Sequence, residues 1–118
     1  MSKLLLVVND PPYGTERTYN ALRLAIAVLK KDQATELRMF LVADGASCAK
    51  AGQVVAQGSY NVEIMLKSIV KRGGVIGVCG TCMDARGLKD AELVEGTRRS
   101  SLDEWAEWTL WAEKTLVF

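Results

Sequence analysis

The sequence predicts an α/β fold in three layers, with a mostly parallel sheet of five strands between helices. Short runs rich in Val, Leu and Ile alternate with segments whose apolar residues recur at helical spacing. The connections between them are short and rich in Gly, Asp and Asn. Helices on both faces bury the strands of a parallel sheet, so such strands read as nearly continuous apolar runs.

Five strands are predicted, each from an apolar run that a turn signal ends. They cover residues 4–8, 36–42, 75–79, 92–96 and 115–118. Helices or helical turns are predicted over residues 15–31, 48–55, 60–71 and 81–85, and from residue 101 onward. Gln57-Gly58 is expected to end the second helix and Gly73-Gly74 the third. Ser101 with Glu104 fits a capping box at the start of the last helix.

Length and composition indicate a single domain over residues 1–118. The chain is 49% hydrophobic and 25% charged, which is ordinary for a globular protein. Fifteen basic and fourteen acidic residues give a net charge of +1. We therefore expect no binding to nucleic acid or to an anionic membrane. The first apolar run stops at Asn9 without a small-residue cleavage site, so we expect a cytoplasmic protein.

Three tryptophans lie within the last predicted helix. The face predicted to be buried carries Leu102, Trp105, Thr109 and Ala112. On this face Trp105 is expected in the core. Trp108 falls at the edge of the face and Trp111 well round from its centre, so both are assigned to a subunit contact. A partly exposed Trp is more often an interface anchor than a solvated side chain.

The chemistry that the sequence predicts lies at the end of the third strand. Cys79 and Cys82 form a Cys-x-x-Cys pair there, where open α/β sheets place their ligand sites. Gly80 suits a sharp exit from the strand. A helical turn after it would bring backbone N–H groups near Cys79 and favour its thiolate. A spacing of three brings the two sulfurs close enough for a disulfide.

Other interpretations of the two cysteines stay open. Free cysteines often pack as small hydrophobic residues. A closed zinc site needs four ligands, and with three Cys and no His we expect no metal. A dithiol–disulfide reductase is a further alternative, but the pair lacks the neighbouring Trp and internal Pro of thioredoxin-like sites. The absence of His also excludes a Cys-His pair, so an activated thiol must rely on backbone amides, a dipole or a basic side chain.

Polar residues follow the first two strands just as Cys79 follows the third. Asn9, Asp10 and Asp44 are therefore expected near one sheet edge, where they could line a cleft beside Cys79. Local turn hydrogen bonding is the alternative, and we favour it for Asp44. Arg86 is the base nearest in sequence to the sulfurs. It could stabilise a thiolate or persulfide anion, or cap its own turn.

Several segments together resemble the DsrE/DsrF-like family, and in particular its YchN-like branch. They are the loop over residues 9–14 and the helix after it, Cys79-Gly80-Thr81-Cys82, Arg86-Gly87, and the Trp-containing helix before Val117-Phe118. The resemblance covers nearly all of the chain. It implies a three-layer α/β/α fold with a parallel sheet, and assembly as a homotrimer or homohexamer.

Sulfur-relay subunits of that family carry a persulfide on a cysteine after the third strand, a position that Cys79 matches. Cys82 has a counterpart in the YchN-like branch but not in every relay subunit. The binding residues expected around the pair are Asn9, Asp10, Tyr13, Gly80, Thr81 and Arg86.

The expected function is therefore persulfide transfer, with sulfur donor and acceptor proteins as partners and no cofactor. Cys79 would take the outer sulfur of a donor persulfide and pass it on, while Cys82 would protect or resolve it. Because this is group transfer rather than turnover of a free substrate, the sequence leaves open whether the protein is an enzyme. The alternative is a non-catalytic oligomer that binds a small ligand and has structural cysteines.

Overall fold

The computed structural model describes residues 2–55 and 60–118, and its centre is a five-stranded sheet. The strands are β1 Lys3–Val8, β2 Glu36–Leu41, β3 Val75–Cys79, β4 Thr97–Ser100 and β5 Lys114–Val117. Their order in the sheet is β4-β3-β2-β1-β5, and every neighbouring pair is parallel. The predicted α/β fold with a parallel five-stranded sheet is confirmed.

Within residues 2–55 and 60–118, four α-helices and two 3₁₀ segments connect the strands. They are α1 Arg17–Lys31, the 3₁₀ segment Ala43–Ala49, α2 Val62–Lys71, α3 Gly80–Ala85, the 3₁₀ segment Asp90–Glu92 and α4 Leu102–Trp111. The predicted helices over residues 15–31 and 60–71 agree with α1 and α2 to within two residues. No helix in the described part of the chain is both long and apolar enough to cross a membrane.

The sheet has a hydrophobic core on each face. On one face, alternate strand residues such as Leu6 and Met39 pack against α1 and α2; this is the larger core. On the other face, Leu5, Val7, Phe40, Cys79 and Trp108 form the smaller core under α4. Successive side chains of β1 thus enter different cores, which explains its uninterrupted run of apolar residues.

The predicted helix over residues 48–55 is wrong. The chain turns directly after β2 into the 3₁₀ segment, and residues 53–55 have no regular structure. Gly45 brings this turn against the end of β1, where a Cβ atom would lie only 2.1 Å from the Val8 carbonyl oxygen. The Gly45 N–H also donates to the Asn9 carbonyl at 3.0 Å. The predicted stop at Gln57-Gly58 lies outside the described residues.

The predicted fourth strand over residues 92–96 is also misplaced. Val94 is buried in the larger core, and its N–H donates to the Ala49 carbonyl at 2.7 Å. The segment therefore fastens the first 3₁₀ segment through an isolated antiparallel bridge between Lys50 and Leu93. The strand itself begins at Thr97, on the sheet edge.

Helix α4 begins at the predicted N-cap, and its most buried residue is Trp108. The Ser101 hydroxyl accepts the N–H of Glu104 at 3.1 Å, while the Glu104 carboxylate bonds Ser100 instead of completing the capping box. Trp105 packs against the smaller core as predicted, with its ring stacked on Phe40 at 4.7 Å between centroids. Leu102 is 74% exposed and Trp108 only 4%, so the prediction is wrong for Leu102 and for the assignment of Trp108 to a subunit contact. Gly77 of β3 explains this, because a Cβ there would lie 3.0 Å from the Trp108 ring.

Candidate functional site

Cys79 is the last residue of β3 and the N-cap residue of α3. Its side chain is 8% exposed and belongs to the smaller core, together with Phe40 and Trp108. The next residue has to be small. A Cβ on Gly80 would lie 2.9 Å from Nε of Arg99 and 3.0 Å from the Ser100 carbonyl oxygen. The Cys79 side chain therefore lies at the end of β3, between the smaller core and the start of α3.

The two thiols of the Cys-x-x-Cys pair have different hydrogen-bond partners. Cys79 Sγ lies 3.3 Å from the Thr81 hydroxyl oxygen. Cys82 is half-buried, and its Sγ accepts the N–H of Ala43 at 3.1 Å. The backbone N–H groups of Thr81 and Cys82 also favour a thiolate at Cys79. Each thiol also affects the pKa of the other, so the two side chains are neighbours.

The hydrogen bonds around the pair give the two thiols opposite pKa shifts. Burial raises the pKa of Cys79, but hydrogen bonds from the Cys82 thiol, the Thr81 hydroxyl and two backbone amides outweigh it, so the pKa lies below its ordinary value. The pKa of Cys82 is raised, first by burial and then by its hydrogen bond to Cys79. The pair therefore ionises first at Cys79, with Cys82 as the thiol that donates to it.

Arg86 lies beside the pair, at the C-cap of α3. It donates to the Cys82 carbonyl oxygen at 3.1 Å, which is the capping of its own turn that the sequence left as one alternative. Its Nε and Nη2 also contact the Asp44 carboxylate at 3.1 and 2.8 Å. Its charge favours a thiolate at Cys82 rather than at Cys79.

The loop after β1 is held by contacts within the chain. Asn9 donates from its side chain to the Phe118 carbonyl at 3.2 Å, and Asp10 accepts from the Thr15 hydroxyl at 3.0 Å. The Tyr13 hydroxyl accepts the N–H of Val62, the first residue of α2, at 3.1 Å. These three predicted binding residues therefore fix the shape of the loop over residues 9–14, whereas Gly80, Thr81 and Arg86 contact the cysteine segment itself.

Cys48 has a different environment from the pair. It is 1% exposed in the larger core, and its thiol lies 3.5 Å from the Asp10 carbonyl oxygen, which accepts from it. Burial raises the pKa of Cys48 to about 12. Within residues 2–55 and 60–118 no cluster of three or more His, Cys, Asp or Glu side chains could hold a metal ion.

Two residues near the pair escaped the sequence analysis. Ala43 has φ +55°, a left-handed conformation, and nothing in its residue type signals this. Arg99 of β4 lies against Gly80 and bonds Asp84 of α3 at 2.7 Å. Two successive arginines on a short segment could have indicated a charged edge strand, since such residues blunt exposed sheet edges.

Known proteins share the family profile and the fold of this chain. The sequence profile of the DsrE/DsrF-like family matches residues 2–118. The chain belongs to this family. As a DsrE/DsrF-like protein it is 38% identical to Protein YchN of Escherichia coli (strain K12) over 118 residues, the full length of both. The crystal structure of YchN superimposes on this chain over the full length of both, with a TM-score of 0.95 at 37% identity.

Other relatives of this DsrE/DsrF-like protein are more distant. An uncharacterised protein of Methanocaldococcus jannaschii is 32% identical over 116 residues, covering 98% of this chain and 99% of the relative. A protein of unknown function from Methanobacterium thermoautotrophicum superimposes with a TM-score of 0.78 over the full length of both chains, at 9% identity. That second likeness concerns the fold alone.

Proposed function

We propose that this DsrE/DsrF-like protein carries sulfur as a persulfide on Cys79. The observation that carries the proposal is the environment of that sulfur, which is largely buried and surrounded by hydrogen-bond donors that lower its pKa. The donors are the Cys82 thiol, the Thr81 hydroxyl and nearby backbone amides. A thiolate is the reactive form in sulfur exchange, so this cysteine is the one suited to it.

The proposed cycle requires no external oxidant. The Cys79 thiolate attacks the outer sulfur of a donor persulfide, the donor's S–S bond breaks, and the donor leaves as a thiolate. The sulfur is then terminal on Cys79. An acceptor thiolate attacks this terminal sulfur, and Cys79 leaves as a thiolate with the electron pair of the broken bond. A lowered pKa helps this second step as well, because it makes Cys79 a better leaving group.

Cys82 has the proposed role of resolving or protecting thiol. Its sulfur can attack Cys79 Sγ of the persulfide, forming a disulfide, while the terminal sulfur leaves as hydrosulfide with the Cys82 proton. Gly80, Thr81 and Arg86 are proposed to contact the incoming sulfur-bearing group, and Asn9, Asp10 and Tyr13 to shape the neighbouring loop. A reducing compartment such as the cytoplasm would keep the two thiols available for this chemistry.

Intact mass spectrometry tests the carrier assignment. The protein is incubated with glutathione persulfide, and native chain, Cys79→Ser, Cys82→Ser and the control Cys48→Ser are compared. We expect the mass of one sulfur atom to be added to all except Cys79→Ser, and to be retained longest by Cys82→Ser, which cannot resolve the persulfide. Sulfur retained by Cys79→Ser would contradict the proposal. Mild oxidation followed by peptide mapping tests Cys82, and recovery of both thiols free would exclude a resolving role.

We propose a homotrimer or homohexamer in which α4 and β5 supply subunit contacts. Leu110 of α4 is 88% exposed and Val117 of β5 is 67% exposed, and β5 is a sheet edge. Trp111 is half-buried under the Arg38 guanidinium, which lies 3.8 Å from its ring centroid. Trp111→Ala is expected to shift the mass seen in light scattering towards monomer. A native protein that is already monomeric at micromolar concentration would contradict the assembly.

A further inference from the structure

The loop that follows β2 contacts the cysteine pair through its backbone. The N–H of Ala43 donates to Cys82 Sγ at 3.1 Å. Ala43 has φ +55° and is the one non-glycine residue with a positive φ in the described ranges 2–55 and 60–118. A residue other than Gly, Asn or Asp rarely adopts this conformation, and it persists only where its surroundings hold it. The Ala43 N–H therefore points at the Cys82 sulfur.

Contacts on both sides hold the loop in this conformation. Arg86 binds the Asp44 carboxylate through two nitrogens, at 2.8 and 3.1 Å, and donates to the Cys82 carbonyl at 3.1 Å. The same guanidinium thus connects the residue after Ala43 with the helix that carries Cys82. On the other side, the N–H of Gly45 donates to the Asn9 carbonyl at 3.0 Å, against the end of β1.

We propose that Ala43 is a positioning residue for the cysteine pair, because its left-handed backbone, held by Asp44 and Arg86, orients Cys82 so that the Cys82 thiol donates to Cys79. An amide that occupies one lone pair of Cys82 Sγ leaves the S–H free to point at Cys79. Among the contacts that lower the pKa of Cys79 against the opposing effect of burial, the hydrogen bond from Cys82 is the largest.

The charged groups near the pair cannot replace this hydrogen bond. Asp84 of α3 pairs with Arg99 of β4, and Asp44 with Arg86. The Ala43 N–H, and less strongly Arg86, lower the pKa of Cys82 against the effect of burial, and Asp10 after β1 acts on Cys48. The contacts that lower the pKa of Cys79 are hydrogen bonds from Cys82 and Thr81. The pH dependence of Cys79 should therefore follow the orientation of Cys82.

A matched pair of substitutions at one position tests the inference. Ala43→Gly keeps the N–H and tolerates positive φ, whereas Ala43→Val is β-branched and strongly disfavours it. The readout is the rate of Cys79 alkylation by iodoacetamide as a function of pH, assigned by peptide mapping. This inference rests on the same cysteine pair as the proposed function, but the alkylation assay contains no persulfide donor. A protein that never accepts sulfur could still show the expected pH profiles, so the carrier role of Cys79 and the positioning role of Ala43 can fail separately.

We expect Ala43→Gly to follow the native pH profile and Ala43→Val to be displaced to higher pH. Each unit of displacement should slow alkylation about threefold near neutral pH, since the tenfold loss of thiolate is partly offset by higher intrinsic nucleophilicity. In a Cys82→Ala background the two variants should have the same profile. If Ala43→Val does not fold, Asp44→Ala releases the same loop and is expected to displace the profile in the same direction. The inference would be overturned if Ala43→Val and Asp44→Ala followed the native pH profile. It would also be overturned if Ala43→Gly and Ala43→Val still differed in the Cys82→Ala background.

Discussion

Cys79 ends β3 and Cys48 lies in the 3₁₀ segment after β2, but their side chains enter the two different cores and their pKa values are shifted in opposite directions. Cys48 belongs to the larger core, and its thiol donates a hydrogen bond to the Asp10 carbonyl oxygen. Cys79 belongs to the smaller core and has the Cys82 thiol and the Thr81 hydroxyl as partners that favour its thiolate. Both side chains are buried, with 1% and 8% exposed. At Cys48 the effect of burial outweighs the hydrogen bonds that the sulfur receives and raises the pKa, whereas at Cys79 the hydrogen bonds outweigh burial and lower it.

The largest expected difference is in thiol reactivity. The pKa of Cys48 is raised to about 12 by burial, whereas that of Cys79 lies below its ordinary value of 9.0. The thiolate fractions near neutral pH should then differ by about a thousandfold or more. Brief alkylation of the folded protein with peptide mapping should label Cys79 first and leave Cys48 intact. Full labelling of Cys48 in denaturant is the control, and labelling of Cys48 or Cys82 well before Cys79 in the folded protein would break the comparison.

The next largest effect is the loss of stability when Trp108 is removed from the smaller core around Cys79. Trp108 is 4% exposed and meets Phe40 edge-on, with ring centroids 6.2 Å apart. Trp108→Ala should therefore destabilise the fold by about 3 kcal/mol or more, as expected for the removal of a buried indole. The matched change Glu107→Ala, at an exposed position of the same helix, should cost less than about 0.5 kcal/mol. Urea unfolding of both variants measures the difference, and equal costs would show that α4 does not secure this core.

The two cores also differ in how much of them the sequence could predict. The first three strands are buried on one or both faces, and their apolar runs predicted them to within one residue. Strand β4 was not predicted, because it is an edge strand that carries exposed Arg98 and Arg99 and lacks an apolar run. Val94 misled the prediction, since it enters the larger core from a loop. An apolar residue signals burial, which a strand shares with any tightly packed turn.

Within the site, what could be predicted is local in sequence. Cys79, Gly80 and Cys82 lie within four residues, so strand, turn and spacing together indicated a sulfur site. The contact of Ala43 with Cys82 joins residues 39 positions apart, and its left-handed backbone depends on the packing of the whole loop. The choice of Trp108 as the buried indole likewise depended on Gly77, a residue of another element. Contacts of this kind follow from tertiary packing and leave no local pattern.

The smallest expected effect is a loosening of the Cys79 side of the sheet in acid. Arg98 binds both carboxylate oxygens of Glu104, at 2.6 and 2.9 Å, and thereby ties β4 to α4. The hydrogen bond from Arg98 lowers the pKa of Glu104 below its ordinary value of 4.5, against the opposing effect of burial. The resulting stabilisation is complete above that value and is lost as the pH falls through the lower pKa of the folded state.

The pair is partly exposed, so its contribution should be about 1 kcal/mol or less. Glu104→Gln should reduce the dependence of the free energy of unfolding on pH in this acid range, and hydrogen exchange in β4 and α4 should rise. Glu63→Gln is the matched control on the opposite side, where the Gly52 N–H and Lys67 lower the pKa of Glu63 at the start of α2. That variant should affect exchange near α2 and leave β4 unchanged. If Glu104→Gln left both the pH dependence and the exchange of β4 and α4 unchanged, the Arg98–Glu104 pair would not be what holds these two elements together.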